Sequence, residues 1–202
     1  MAAGIAGRLV MRILRSADYR RMKWKNGGGE TVEIAVFPAH ATLDNFAWRI
    51  SMATVASDGS FSIFADCDRT LSLLSGNGLT LAYDGGMGMH LTTASAPYAF
   101  PADAATTATL TDGRVTDLNV MSRRTLMSHS VARMGVDGET SLHADKGSVL
   151  FCQNGRMAVT RGGTVASLAA QDSLIIGDNA AAGLTLSGKA SFFLIRFNEI
   201  PQ

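Results

Sequence analysis

The sequence predicts an all-β protein, a sandwich or barrel assembled from two related β units. Three observations carry this. Convincing amphipathic helices are absent, and apolar residues instead alternate over short runs bounded by turn residues. Glycine is plentiful, with 21 residues in a chain of 202, as frequent tight turns between short strands require. The second half also repeats the first at a constant offset of 77 residues. In that register Asn77-Gly78 matches Asn154-Gly155, Gly85-Gly86 matches Gly162-Gly163, and Asp68-Arg69 matches Asp145-Lys146. Ser51, Leu73 and Leu91 fall on Ser128, Leu150 and Leu168. The period is longer than that of a solenoid, so it indicates a duplicated unit and not a repeat array.

Taken in order, residues 9–15 read as a first strand, and Arg20 to Lys25 as a short basic, solvated turn. The central stretch follows: Trp24-Lys25-Asn26-Gly27-Gly28-Gly29-Glu30-Thr31-Val32-Glu33-Ile34, a glycine-rich loop feeding an alternating strand. Such a loop suits a ligand-lining element, although a plain glycine turn beside a half-buried tryptophan would look the same. In residues 46–53, Trp48, Ile50 and Met52 share one face and Ala47, Arg49, Ser51 and Ala53 the other. Strand-like pieces recur at 70–74, 79–83, 97–103 and 115–121. Asn77-Gly78 closes a hairpin, and Asn154-Gly155 should close its counterpart. In 115–121 Asp117, Asn119 and Met121 share a face. The last strand, 192–196, falls on 115–119. The expected organisation is one domain over 1–202, with a first unit at 9–121 and a second at 122–202. The second unit has no tryptophan, and Thr125 and Leu126 stand where the first has Trp48 and Arg49. Any chemistry is therefore expected in the first.

Composition narrows the function. Hydrophobic residues make up 47% and charged residues 17%, with a net charge of +1, so no broad footprint for nucleic acid or an acidic surface exists. No apolar run reaches membrane-span length. Arg8, Arg12 and Arg15 interrupt the apolar N-terminus before a leader forms. The expectation is a cytoplasmic protein without nucleic-acid or membrane partners, whose Cys67 and Cys152 are reduced core thiols. The histidines at 40, 90, 129 and 143 form no His-x-His pair or other metal-ligand spacing, so no metal or other cofactor is expected. Nucleophile elbows and phosphate loops are missing too.

What remains is a set of polar residues at positions an all-β fold exposes to a cavity. Arg49, Arg69 and Arg123 could each take a carboxylate by the planar fork. Asn26, Thr31, Ser51, Ser62 and Asn119 could add neutral hydrogen bonds, and Met121 shares the Asn119 face. Trp24, Trp48 and Phe61 could form an apolar wall, while Glu33 could receive an amine or hold an arginine in place. Such a pocket suits a small carboxylate metabolite.

These residues carry a resemblance. The chain resembles the HutD/Ves family of metal-free bicupins through Trp24-x-Asn26-Gly27-Gly28-Gly29-x-Thr31-x-Glu33, Trp48-Arg49-Ile50-Ser51-x-Ala53-x-Val55 and Gly59-x-Phe61-Ser62-x-Phe64. It continues in Asp68-Arg69-x-Leu71-x-Leu73-Leu74-x-Gly76-x-Gly78-Leu79-x-Leu81 and Asp117-Leu118-Asn119-Val120-Met121-x-Arg123. The resemblance implies two cupin-like, jelly-roll β-barrels in one chain, a link to histidine utilisation or stress response in bacteria, and a small-molecule binder with a regulatory role. The implied pocket draws on Trp24, Asn26, Thr31, Glu33, Arg49, Ser51, Arg69, Asn119 and Arg123. Ala102 departs from the expected Phe-x-Gly-Asp turn at 100–103. Catalytic residues are not assigned. Two alternatives stand beside the binder: a metal-independent isomerase or lyase with Glu33 as general base, and a protein-interaction module whose second unit could also serve as a homodimer surface.

Overall fold

The computed structural model describes residues 11–24, 27–83, 88–177 and 183–201. Their strands, in the first half, are β1 (Met11–Leu14), β2 (Arg20–Lys23), β3 (Gly29–Phe37), β4 (Trp48–Val55), β5 (Gly59–Ser60), β6 (Cys67–Ser75), β7 (Leu79–Tyr83), β8 (Met89–Leu91), β9 (Tyr98–Pro101), β10 (Thr106–Leu110) and β11 (Val115–Arg123). The second half carries β12 (Met127–Leu142), β13 (Val149–Arg161), β14 (Thr164–Ala169), β15 (Ser173–Ile176) and β16 (Leu184–Glu199). One short 3-10 turn, Ser16–Asp18, is the helical element among the described residues.

Contacts divide the chain into two compact units. The first comprises residues 19–132 with 197–201 and the second residues 11–18 with 133–196. This differs from the expected 9–121 and 122–202 at both ends. The seam falls at 132/133 because β12 runs through it without a break. The first strand pairs with β15 in the second unit, Met11 opposite Ile176, since Met11 and Ile13 bury their side chains in that unit's core.

The first unit holds a six-stranded sheet, β2-β3-β4-β11-β6-β9, and a four-stranded sheet, β5-β10-β7-β8. Period-two alternation sends Val55, Leu71, Leu73 and Val115 inward, where they meet Leu79, Leu81, Leu91 and Ala108. The sheets are open, so the layers form a jelly-roll sandwich and not a fully closed barrel. Arg20–Lys23, expected as a solvated turn, is a strand pairing with β3, because Met22 alternates inward between exposed basic residues.

The second unit is one sheet, β1-β15-β13-β16-β12, with β14 on β13. Duplication is visible in its pairing. β6 and β7 of the first unit correspond to the two halves of β13, and β10 and β11 correspond to those of β16. Asn154-Gly155 therefore closes no hairpin. It sits at a bulge inside β13, opposite Ser191 and Ala190, and Gly155 has φ +84°. A Cβ at Gly155 would lie 2.2 Å from the Lys189 carbonyl oxygen, so only glycine fits. Gly85-Gly86 lies outside the described residues.

Candidate functional site

Two consecutive cross-strand rows define the inner face of the six-stranded sheet. One runs Glu33–Ser51–Asn119–Leu71 across β3, β4, β11 and β6, and the next runs Thr31–Ala53–Asp117–Leu73. A third row places Arg49 and Arg69 on either side of Met121. The alternation read from β4 and β11 thus converges on one polar surface lining an otherwise apolar interior. Among the described residues of the second unit the buried polar side chains are Ser148, Gln153, Arg161, Asp172 and Ser173.

Arg49 is buried. Its Nε donates to Glu33 Oε2 at 2.8 Å, and Nη1 donates to Ser51 Oγ at 3.3 Å. Glu33 holds the arginine in place, one of the two roles expected for it. The Trp24 indole N–H donates to Thr31 Oγ1 at 2.8 Å. The glycine run lets the tryptophan lie close: a Cβ on Gly29 would lie 2.1 Å from the Thr54 carbonyl oxygen and 3.0 Å from the indole ring.

Arg69 is enclosed by rings. Its guanidinium carbon lies 5.0, 5.6 and 5.7 Å from the centroids of Phe61, Phe64 and Phe100. Nη2 donates to the Ser62 carbonyl oxygen at 2.9 Å, whereas Nε is buried with no partner. Burial pushes the group down to about 10, against the pull of Asp117. Asp117 is 0% exposed, and neither carboxylate oxygen has a hydrogen-bond partner of acceptable geometry. Burial raises it to about 7, although the Arg69 charge and the Ala53 N–H oppose the shift. Asn119 Oδ1 is likewise buried and unpartnered. The face therefore holds donors and acceptors left unused by the fold.

A sequence model of the HutD family matches residues 16–194. The chain belongs to the HutD family. It is 32% identical over 182 residues to an uncharacterised 21.2 kDa protein encoded 3′ of hutC in Pseudomonas putida, covering 89% of this chain and 94% of that one. Protein Ves of Citrobacter koseri is 36% identical over 143 residues, 68% of this chain and 72% of its own. The structure of HutD from Pseudomonas fluorescens SBW25 superposes with a TM-score of 0.80 at 30% identity, covering 95% of this chain and all of that one. A cupin 2 conserved barrel domain protein from Leptotrichia buccalis, with a TM-score of 0.57 at 10% identity over 89% of this chain and 96% of its own, shows the fold to be of cupin type.

In this HutD-family chain the remaining candidates separate. Trp48 lies on the opposite face of β4 from Arg49, stacked on Phe197 at 4.3 Å and on Phe37 at 5.8 Å, so it does not join Trp24 and Phe61 in a wall. Period two forces this, because residues 48 and 49 cannot share a face. Arg123 donates to the carbonyl oxygens of Phe46, Ala65 and Asp44 and so clamps the loops at the end of the sheet. Ser62 offers its carbonyl oxygen to Arg69, and its side chain is exposed. Asn26 lies outside the described residues. Ala102 packs against Phe46, Cys67 and Met121 with its N–H on the Cys67 carbonyl oxygen, so this turn has no need of a glycine. A cavity of about 360 Å³ reaches Phe61 and Tyr83 but none of the polar rows. No group of three or more His, Cys, Asp or Glu among the described residues could hold a metal ion. His129 is partly buried, held between Thr70 and Ser122, and burial lowers it to about 4.

Sequence reasoning missed Asp117 as a site residue. Its signal was the alternation that puts Asp117 on the same face as Asn119 and Met121.

Proposed function

We propose that this chain binds a small carboxylate metabolite inside its first unit, without metal, and so modulates histidine utilisation. The observation that carries the reading is Arg49 and Arg69, both buried on one inner face, where the Nε of Arg69 finds no acceptor in the fold. A buried guanidinium without enough acceptors is costly, and a carboxylate supplies the acceptors in a bidentate geometry. The link to histidine utilisation is supported by the family and by the P. putida relative encoded beside hutC.

The test is a thermal-shift screen of chelator-treated protein with urocanate, formiminoglutamate, formylglutamate, glutamate, histidine and divalent metals. A ligand specific for the folded state raises Tm by mass action. A rise from one carboxylate and none from metals supports the reading; a rise from metals alone overturns it, and none at all points to a protein partner.

An enzymatic reading gains one observation. Asp117, poised near neutrality inside the unit, suits a general base better than the ion-paired Glu33 does. Turnover of a panel compound, abolished by Asp117→Asn, would favour a metal-independent isomerase or lyase.

A further inference from the structure

We infer that the guest of the first unit carries an N–H donor as well as a carboxylate, and that Asp117 accepts it. The inference rests on the carboxylate-binding reading and deepens it. Asp117 points into the interior, since its register neighbours Ala53 and Leu73 both belong to the first unit's core cluster. A carboxylate taken from water without hydrogen bonds is among the costliest groups to bury. The Arg69 charge and the Ala53 N–H offset only part of that cost, because neither carboxylate oxygen has a hydrogen-bond partner of acceptable geometry. A fold that keeps such a group holds an acceptor in reserve.

The position fits a two-ended guest. The Arg49 guanidinium reaches Glu33 and Ser51, in the row adjacent to that of Asp117. Adjacent rows are two residues apart along β11, about 6.6 Å. A guest whose carboxylate meets Arg49 therefore has its next few atoms beside Asp117. A carboxylate with a purely apolar or ether-like tail would leave Asp117 unpaired and bring a second anion towards it. An amide, amine or ring N–H at that place would satisfy it. Asn119, on the same face and in the row of Glu33 and Ser51, can turn either its oxygen or its amide nitrogen to the same guest.

The experiment compares two isosteric probes, N-acetylglycine and acetoxyacetate, which differ in replacement of one N–H by oxygen. Binding is measured by calorimetry on the full chain. The native protein should prefer N-acetylglycine by at least about tenfold, because a site built for a donor rejects its isostere. In Asp117→Ala, whose folding is checked by circular dichroism, the preference should shrink to within about twofold. Asp117→Asn, which keeps the shape and one acceptor oxygen, should retain part of it. Equal affinity of the native protein for the two probes, or a preference unchanged by Asp117→Ala, overturns the role of Asp117 while leaving the carboxylate reading intact. If neither probe binds and no carboxylate in the wider panel does, both readings fall.

Discussion

Arg49 and Asp117 set the chemistry of the inner face, and they do so in opposite ways. Arg49 is buried but well held, with Glu33 at 2.8 Å and Ser51 at 3.3 Å. Arg49→Ala should weaken carboxylate binding by about 1.5–3 kcal/mol, the contribution of a charge-assisted hydrogen bond; calorimetry with a carboxylate probe checks this, and unchanged affinity would move the anchor to Arg69. Asp117 is buried and poorly held. Its folded-state value, about 7 against an ordinary 3.8, means that the folded protein binds its proton more tightly than the unfolded chain does. The associated stability is fully present below the unfolded value and is lost as pH rises through the folded one. Urea titrations should therefore show Asp117→Asn gaining on the native protein between pH 4 and 8, by about 2–4 kcal/mol at the upper end. A gap that does not change with pH would mean that Asp117 is already satisfied in the folded state. Asp117 was hard to read as a site residue because an acid in a strand looks alike in sequence whether it meets water or a closed interior. Arg49 was readable because Trp48 and Ile50 fix which face it takes, and the same rule places Trp48 outside the wall.

At the level of strands, legibility followed the cleanness of the alternation. β4 and β11 alternate without interruption, and they pair in one unbroken register from Val55 opposite Val115 to Trp48 opposite Ser122. The duplication was legible as a spacing, but its consequence at Asn154-Gly155 was not. The same dipeptide that turns the chain at 77–78 is absorbed within β13, because one edge of the strand there passes from β15 to β14 while the other runs along β16 through a bulge. The length of β12 and β16 was hidden by glycines and polar residues that look like turns yet sit at exposed strand positions. Gly155→Ala should destabilise the protein by at least about 2 kcal/mol, since it combines a left-handed φ with collision against the Lys189 carbonyl. Gly135→Ala, in the same unit, meets nothing nearer than 3.8 Å and should be close to neutral. Denaturant unfolding of the two variants decides the matter; equal effects would show that the bulge relaxes around a methyl group.

Across the whole chain, the two units share a plan but differ in what they bury: the first aligns Arg49, Ser51, Arg69 and Asp117 on one sheet, whereas the second buries Ser148, Arg161, Asp172 and Ser173. Each is also built from discontinuous chain. Residues 197–201 return to the first unit, and Phe197 stacks on Trp48 at 4.3 Å with an interplanar angle of 11°. This contact covers the face of β4 opposite Arg49, so it separates stability from binding in a way a mutation can read. Phe197→Ala removes a ring that is only 8% exposed and should cost about 3–5 kcal/mol of stability by urea titration. Because Arg49, Ser51 and Asp117 face the other way, the protein that remains folded should bind a carboxylate probe with unchanged affinity. Loss of affinity at unchanged stability would place the guest on the Trp48 side of the sheet and overturn the assignment of the inner face; loss of stability alone confirms that the C-terminal residues serve the first unit as structure, leaving recognition to the rows that begin at Thr31 and Glu33.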